Sequence, residues 1–259
     1  MAAEESGSID HEGRRIAWRR RAGSLPGVAW LGGYRSDMRG TKAEAIDDWA
    51  AATGRAFLRH DYSGHGDSSG AFAEGTISLW LSESLAVFRA LSSGPNILVG
   101  SSMGAWIALR MAHELAKAGE GDRVAGMLLL APAPDFTVDL VEPGMTDEQR
   151  LEVLARGYFE TPSEYSGEPN VFTEALLSDG HANRVLTGPI ETSFPVTIIQ
   201  GMMDPDVPAA HARRLADLLP QDRVELSLVP DGDHRLSRPQ DIEMILSALD
   251  ALVARTGAP

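Results

Sequence analysis

The sequence predicts an α/β protein: a mostly parallel central sheet with helices on both faces. Short β-rich runs alternate with stretches of helical apolar spacing almost throughout, as strands and covering helices do in that class. The chain has 259 residues, 43% of them hydrophobic, enough to bury a large core as one domain spanning 1–259. One segment, 134–189, breaks the alternation, and it falls between two strand-like runs as an insertion would.

In chain order, 8–12 and 15–21 form an opening hairpin joined at Glu12-Gly13. Later apolar runs at 27–31, 56–59, 97–99, 124–130, 196–200 and 224–228 read as strands. Helical spacing of apolar residues marks 41–52, 77–90, 103–116, 211–219 and 241–254. The excursion holds Pro, Gly, acidic residues and two expected short helices, near 147–159 and 171–177, with no expected strand. It is too short to build much core of its own, so it reads as a helical lid over one end of the sheet.

Composition narrows the chemistry. The formal charge of −14, from 37 acidic against 23 basic residues, would repel phosphates and argues against nucleic acid as a partner. The arginine run in GRRIAWRRRAG alternates with apolar residues as an exposed edge strand does, and charged edges block edge-to-edge pairing. There are no cysteines, which excludes disulfides, thiolate metal sites and a thiol nucleophile. No run approaches the roughly 20 apolar residues of a membrane span. The acidic start MAAEESGSID is unlike a basic targeting segment, and predicts a cytoplasmic protein.

The stretch NILVGSSMGAWIAL carries the strongest chemical signal. Gly100-Ser101-Ser102-Met103-Gly104 fits G-x-S-x-G, placed after a predicted strand and before a predicted helix. A serine held on so sharp a turn needs small residues two before and two after it, so that strand and helix can approach closely. The turn presents the hydroxyl at the carboxyl end of the sheet, beside a helix N-terminus whose free N–H groups suit a developing oxyanion. The bland alternative is that Ser101 and Ser102 only cap the helix.

A serine hydroxyl needs a base, and the base a carboxylate partner. His234 follows the last predicted strand in PDGDHR and precedes the final helix, which makes it the candidate base. His11, His60 and His65 lie before Ser102, His113 is within a helix, His181 is in the excursion and His211 begins a helix. In GMMDPDVP after the penultimate strand, Asp204 is the favoured acid and Asp206 a turn or capping residue. The oxyanion donors would be the N–H groups of Met103 and of Tyr34, in the glycine-rich loop LGGYRS. HDYSGHGDS has two His and two Asp but no matching ligand cluster elsewhere, and reads as a structural turn; no metal and no cofactor are expected.

Along 27–252 these motifs resemble the α/β-hydrolase family, and within it the mitochondrial depalmitoylating thioesterases and acyl-glucuronide esterases. The resemblance rests on GTKAEAIDDWAAATGRAFLRHDYSGHGDSSG, ILVGSSMGAWIAL and GDHRLSRPQDI. It implies an α/β-hydrolase fold and cofactor-free hydrolysis of a small-molecule ester or acyl thioester by Ser102, Asp204 and His234. Arg35, Arg39 and Lys42 could then attract an anionic leaving group such as a glucuronate. Tyr158, Phe159, Tyr165 and Phe172 are candidates to line an acyl pocket. A peptidase or carbon–carbon bond hydrolase would keep the same three residues, and a ligand-binding receptor on the same fold is the rival from another class. Dehalogenase and epoxide hydrolase chemistry need an Asp where this chain has Ser102.

Overall fold

The computed structural model describes residues 3–163 and 167–256. The chain opens as the hairpin β1 (Glu4–His11) and β2 (Arg14–Arg21), then runs through β3 (Ser24–Leu31), α1 (Thr41–Thr53), β4 (Arg55–His60), α2 (Ile77–Leu91), β5 (Asn96–Ser101), α3 (Met103–Lys117) and β6 (Val124–Leu130). After the insertion come β9 (Val196–Gly201), α7 (Ala209–Leu218), β10 (Val224–Val229) and α8 (Pro239–Thr256). Within the insertion lie α4 (Glu142–Gly144), α5 (Asp147–Arg156), β7 (Tyr158–Thr161), β8 (Asn170–Thr173) and α6 (Glu174–Ala182).

Eight strands make one sheet in the order β1-β2-β4-β3-β5-β6-β9-β10, antiparallel at β1/β2 and β2/β4 and parallel elsewhere. Strand alternation divides the core. Val28, Trp30, Ile97, Val99, Leu128 and Leu130 pack on the face covered by α1 and α8, while Ala29, Leu31, Leu98, Met127 and Leu129 join the face covered by α2, α3 and α7. From β3 the chain goes first to β4 on one side and then to β5 on the other. Such a reversal opens a crevice at the carboxyl ends of β3 and β5, where α/β sheets bind ligands.

Two expectations are corrected. The arginine-rich strand β2 is not the edge: β1 is, and it covers β2 with acids. Arg19 pairs with Glu4 at 3.0 Å, Arg20 with Glu5 at 2.7 Å, and Arg21 grips Asp47 of α1 with two nitrogens at 3.0 and 3.1 Å. Arg19, Arg20 and Arg21 are thus each paired with a carboxylate within the fold. In the insertion, the expected helix 147–159 stops at Arg156 because Gly157 adopts the left-handed conformation, φ 82°, that ends helices. Aromatic and β-branched residues of Tyr158–Thr161 and Asn170–Thr173 then pair as the antiparallel strands β7 and β8, so α6 begins at Glu174 rather than 171.

Candidate active site

Ser102 sits between β5 and α3 at φ 54°, ψ −118°, a backbone state that a non-glycine residue keeps only when its surroundings enforce it. The enforcement is close packing at the flanking glycines. A Cβ on Gly104 would lie 2.1 Å from the Leu31 carbonyl oxygen, and one on Gly100 2.5 Å from that of Gly104. Ser102 is the residue at the helix cap, but its hydroxyl makes no cap hydrogen bond. It lies 3.0 Å from His234 Nε2 instead.

His234 Nδ1 lies 2.8 Å from Asp204 Oδ2, so one imidazole bridges a hydroxyl and a carboxylate from three separate loops. Those loops are fastened to each other: the Met203 N–H donates to the Gly232 carbonyl at 2.9 Å. Asp204 Oδ1 accepts from the amides of Asp206 and Val207, at 2.9 and 2.8 Å, and Oδ2 accepts from Gln200 Nε2 at 3.0 Å. Burial would raise the Asp204 pKa, but the bond to His234 and these donors outweigh it and hold the carboxyl below its ordinary range. Gln200, fully buried near the end of β9, was missed from the sequence; a lone amide in VTIIQG was the available signal. Asp206 does not cap α7, whose cap residue is Pro208.

The loop after β3 meets the turn at Ser102: a Cβ on Gly33 would lie 3.3 Å from both Ser102 Cβ and the Ser101 carbonyl oxygen. The N–H groups of Tyr34 and Met103 have no acceptor within the protein among the described residues. A cavity of about 530 Å³ opens over Ser102, Met103, Tyr34 and His234. The segment 134–189 contributes Phe136, Leu140, Val141 and Phe172 to its apolar lining, beside Trp30, Met103, Ala133 and Val207 of the sheet end; Thr41, Lys42, Arg235 and Ser237 also line it. Tyr34 stacks on Phe172 with centroids 5.8 Å apart, and its hydroxyl donates to the Val171 carbonyl. Arg35 lines the cavity but is tied to Glu168 at 2.9 Å and lies over the Phe72 ring. Arg39 pairs with Asp67 at 2.5 Å.

The acyl-pocket expectation is corrected for two residues. Tyr158 and Phe159 do not line the cavity: Phe159 is buried behind Phe172 with ring centroids 5.1 Å apart, and Arg156 covers Tyr158. Hairpin pairing sets Phe159 opposite Phe172, and Phe172 is the one that faces the cavity. Tyr165 lies outside the described residues. In HDYSGHGDS, His60 bonds Ser84 at 3.0 Å, and Asp61 accepts from the amides of Met38 and Asp67. Among the described residues, donor atoms of Asp204, Asp206 and His234 lie within 4.8 Å of one another, as a metal site would need. Both nitrogens of His234, however, already face Ser102 and Asp204.

A strained serine between strand and helix, a crevice at a strand-order reversal and a mostly parallel eight-stranded sheet define an α/β-hydrolase architecture. The family model described as "Alpha/beta hydrolase family" matches residues 18–243, and the chain belongs to that family. A relative from Mus musculus named "Palmitoyl-protein thioesterase ABHD10, mitochondrial" is 31% identical over 92% of this chain and 78% of its own; a human relative of the same name is also 31% identical. Among solved structures, a putative hydrolase from Agrobacterium vitis superposes with a TM-score of 0.92 at 53% identity, covering 98% of this chain and 99% of that one. Alpha/beta hydrolase domain-containing protein 10 from mouse gives 0.87 at 29% identity, covering 96% and 98%. These relatives overturn the cytoplasmic expectation, because the curated ones are named mitochondrial and an acidic opening segment does not decide compartment. Among the described residues, no helix is long and apolar enough to cross a membrane.

Proposed function

We propose that this protein is a serine hydrolase that cleaves carboxylic esters or acyl thioesters through an acyl-enzyme on Ser102. The observation that carries the reading is the His234 imidazole bridging Ser102 Oγ and Asp204 at 3.0 and 2.8 Å. His234 takes the hydroxyl proton as Oγ bonds to the acyl carbon, and the carbonyl π pair moves to oxygen. The N–H groups of Tyr34 and Met103 bind that oxyanion. As it collapses, the bond to the leaving thiol or alcohol breaks and His234 protonates the departing atom. Water then repeats the sequence on the acyl-enzyme, releasing the acid and restoring Ser102. Asp204 keeps Nδ1 protonated and stabilises the imidazolium.

The acyl group fits against Phe136, Leu140, Val141 and Phe172, with the segment 134–189 as a lid. The relatives named as thioesterases support the thioester side of the reading. The leaving group departs toward Lys42, whose ammonium donates to the carbonyl of Arg235, the residue after His234. Arg35 and Arg39 already have carboxylate partners, so Lys42 is the cation we assign to an anionic leaving group.

The test compares wild type and Ser102→Ala on p-nitrophenyl esters and acyl thioesters of several lengths, with a fluorophosphonate probe located by peptide mass spectrometry. We expect hydrolysis and labelling at Ser102, both lost in the variant. No turnover at any chain length with an unlabelled serine would instead favour a ligand-binding protein on this fold.

A further inference from the structure

His65 takes no part in the proton path above, yet it is 4% exposed and ringed by Tyr62, Phe72 and Trp80 at 5.0 to 5.5 Å between centroids. Both of its ring nitrogens face main chain. Nδ1 lies 3.1 Å from the Ser63 carbonyl oxygen, which can only accept, so Nδ1 carries the hydrogen. Nε2 is left with a lone pair, and it lies 3.3 Å from the Arg35 amide nitrogen, which donates to it. Burial, reinforced by the nearby Arg35 charge, outweighs the Ser63 bond and lowers the His65 pKa to about 4, so the ring is neutral at physiological pH.

The acceptor is itself anchored. The Ser63 carbonyl also accepts from Trp80 Nε1 at 3.2 Å, and the Ser63 amide donates to Glu83 Oε2 at 2.9 Å, which ties the His65 turn to α2. On the other side of the bond, Arg35 has φ 57°, a left-handed state that a side chain bearing Cβ holds only under external constraint. Arg35 directly follows Tyr34 in the loop that touches Ser102.

We infer that His65 is a positioning residue: by accepting the Arg35 N–H it locks the left-handed turn that aims the neighbouring Tyr34 N–H at the carbonyl oxygen of the substrate. The inference rests on the proposed acyl-enzyme chemistry and adds to it the group that holds the oxyanion loop in register. Preorganisation of this kind acts on the transition state rather than on ground-state binding, because the oxyanion exists only there.

The experiment uses the full chain with His65→Phe, which keeps a ring but removes the acceptor, and His65→Gln, whose Oε1 can accept the same N–H. Ester kinetics are measured beside the affinity of a trifluoromethyl ketone, which forms a tetrahedral oxyanion on a serine, and of its unreactive alcohol analogue. For His65→Phe we expect kcat to fall by about 10- to 100-fold, ketone affinity to fall by a similar factor, and KM and alcohol affinity to stay within about twofold. For His65→Gln, most of the loss should be restored. Wild-type kcat and ketone affinity in His65→Phe would overturn the inference, as would a loss shared equally by KM and alcohol binding. Should the Phe variant fail to fold, ring ¹⁵N shifts of wild-type His65 decide: a hydrogen on Nε2 overturns the inference, and a hydrogen on Nδ1 with a bare Nε2 upholds it. Failure of the underlying chemistry reads differently, as wild type that forms no ketone adduct or an adduct that survives Ser102→Ala.

Discussion

The carboxyl end of the sheet and the segment 134–189 both line the cavity, and they are built by different rules. At the sheet end, Ser102, Asp204 and His234 each sit on a short turn leaving a parallel strand or leading into a helix, so the strand registers fix their separations. The insertion has no such frame. It is held by particular side chains: buried Asp135, φ 55°, accepts the amides of Val185 and Leu186, and Tyr34 holds the hairpin through Val171 and Phe172. A reaction centre placed on ladder geometry varies little with loop sequence, whereas a pocket wall placed on side-chain contacts can be reshaped one residue at a time. On the proposed reaction, chemistry and substrate choice would thereby be separated in the molecule.

That contrast can be broken from either side. The largest effect is expected from Asp204→Asn, which leaves the packing intact but spoils the tautomer of His234: kcat should fall by about 10⁴-fold in steady-state ester kinetics, and a loss below about tenfold would remove Asp204 from the chemistry. Gly104→Ala comes next, because its Cβ would lie 2.1 Å from the Leu31 carbonyl oxygen. It should cost about 3 kcal/mol or more of unfolding free energy in denaturant titration and abolish activity; a stable, active variant would show the elbow to be pliable.

On the insertion side, Phe172→Ala should lower kcat/KM for long acyl chains by about 10- to 50-fold while leaving acetyl esters nearly unchanged. Equal losses at every chain length would place the acyl group elsewhere. The smallest effect belongs to Lys42. Burial and the Arg235 charge lower its pKa, against the opposing pull of Asp233 and Asp241, to about 8. Its charge is present below that pH and lost above it. An anionic thioester should therefore outperform a neutral one by about 5- to 10-fold in kcat/KM at pH below 8, with the advantage fading as pH rises and absent in Lys42→Met. A preference that is flat with pH would exclude this amine.

The same division governs how much could be read before folding. Parallel strands and their helices announce themselves by short-range periodicity, and G-x-S-x-G, GMMDPD and GDHR each sit where that periodicity changes. Nearness to the strand end favours Asp204 over Asp206 in the sequence, and in the structure Asp204 Oδ2 lies 2.8 Å from His234 Nδ1. Tyr158 and Phe159 misled because a short hairpin and a helix with a mixed pattern look alike over four residues, and the glycine at 157 was the only local stop signal. The arginines of β2 were legible as a charged strand but not as an inner one, since strand order is a long-range property.

By itself the sequence determined the α/β class, the glycine-flanked turn at Ser102 and the chain order in which Ser102, Asp204 and His234 follow their strands, because each depends on residues within a few positions of one another and on chain direction. Only the tertiary structure decided which strand lies at the edge, which aromatic faces the cavity, and that His65 holds the backbone of Arg35. Those outcomes follow from contacts between segments tens of residues apart, whose free energies are settled by packing and hydrogen bonding after collapse and leave no periodic trace along the chain.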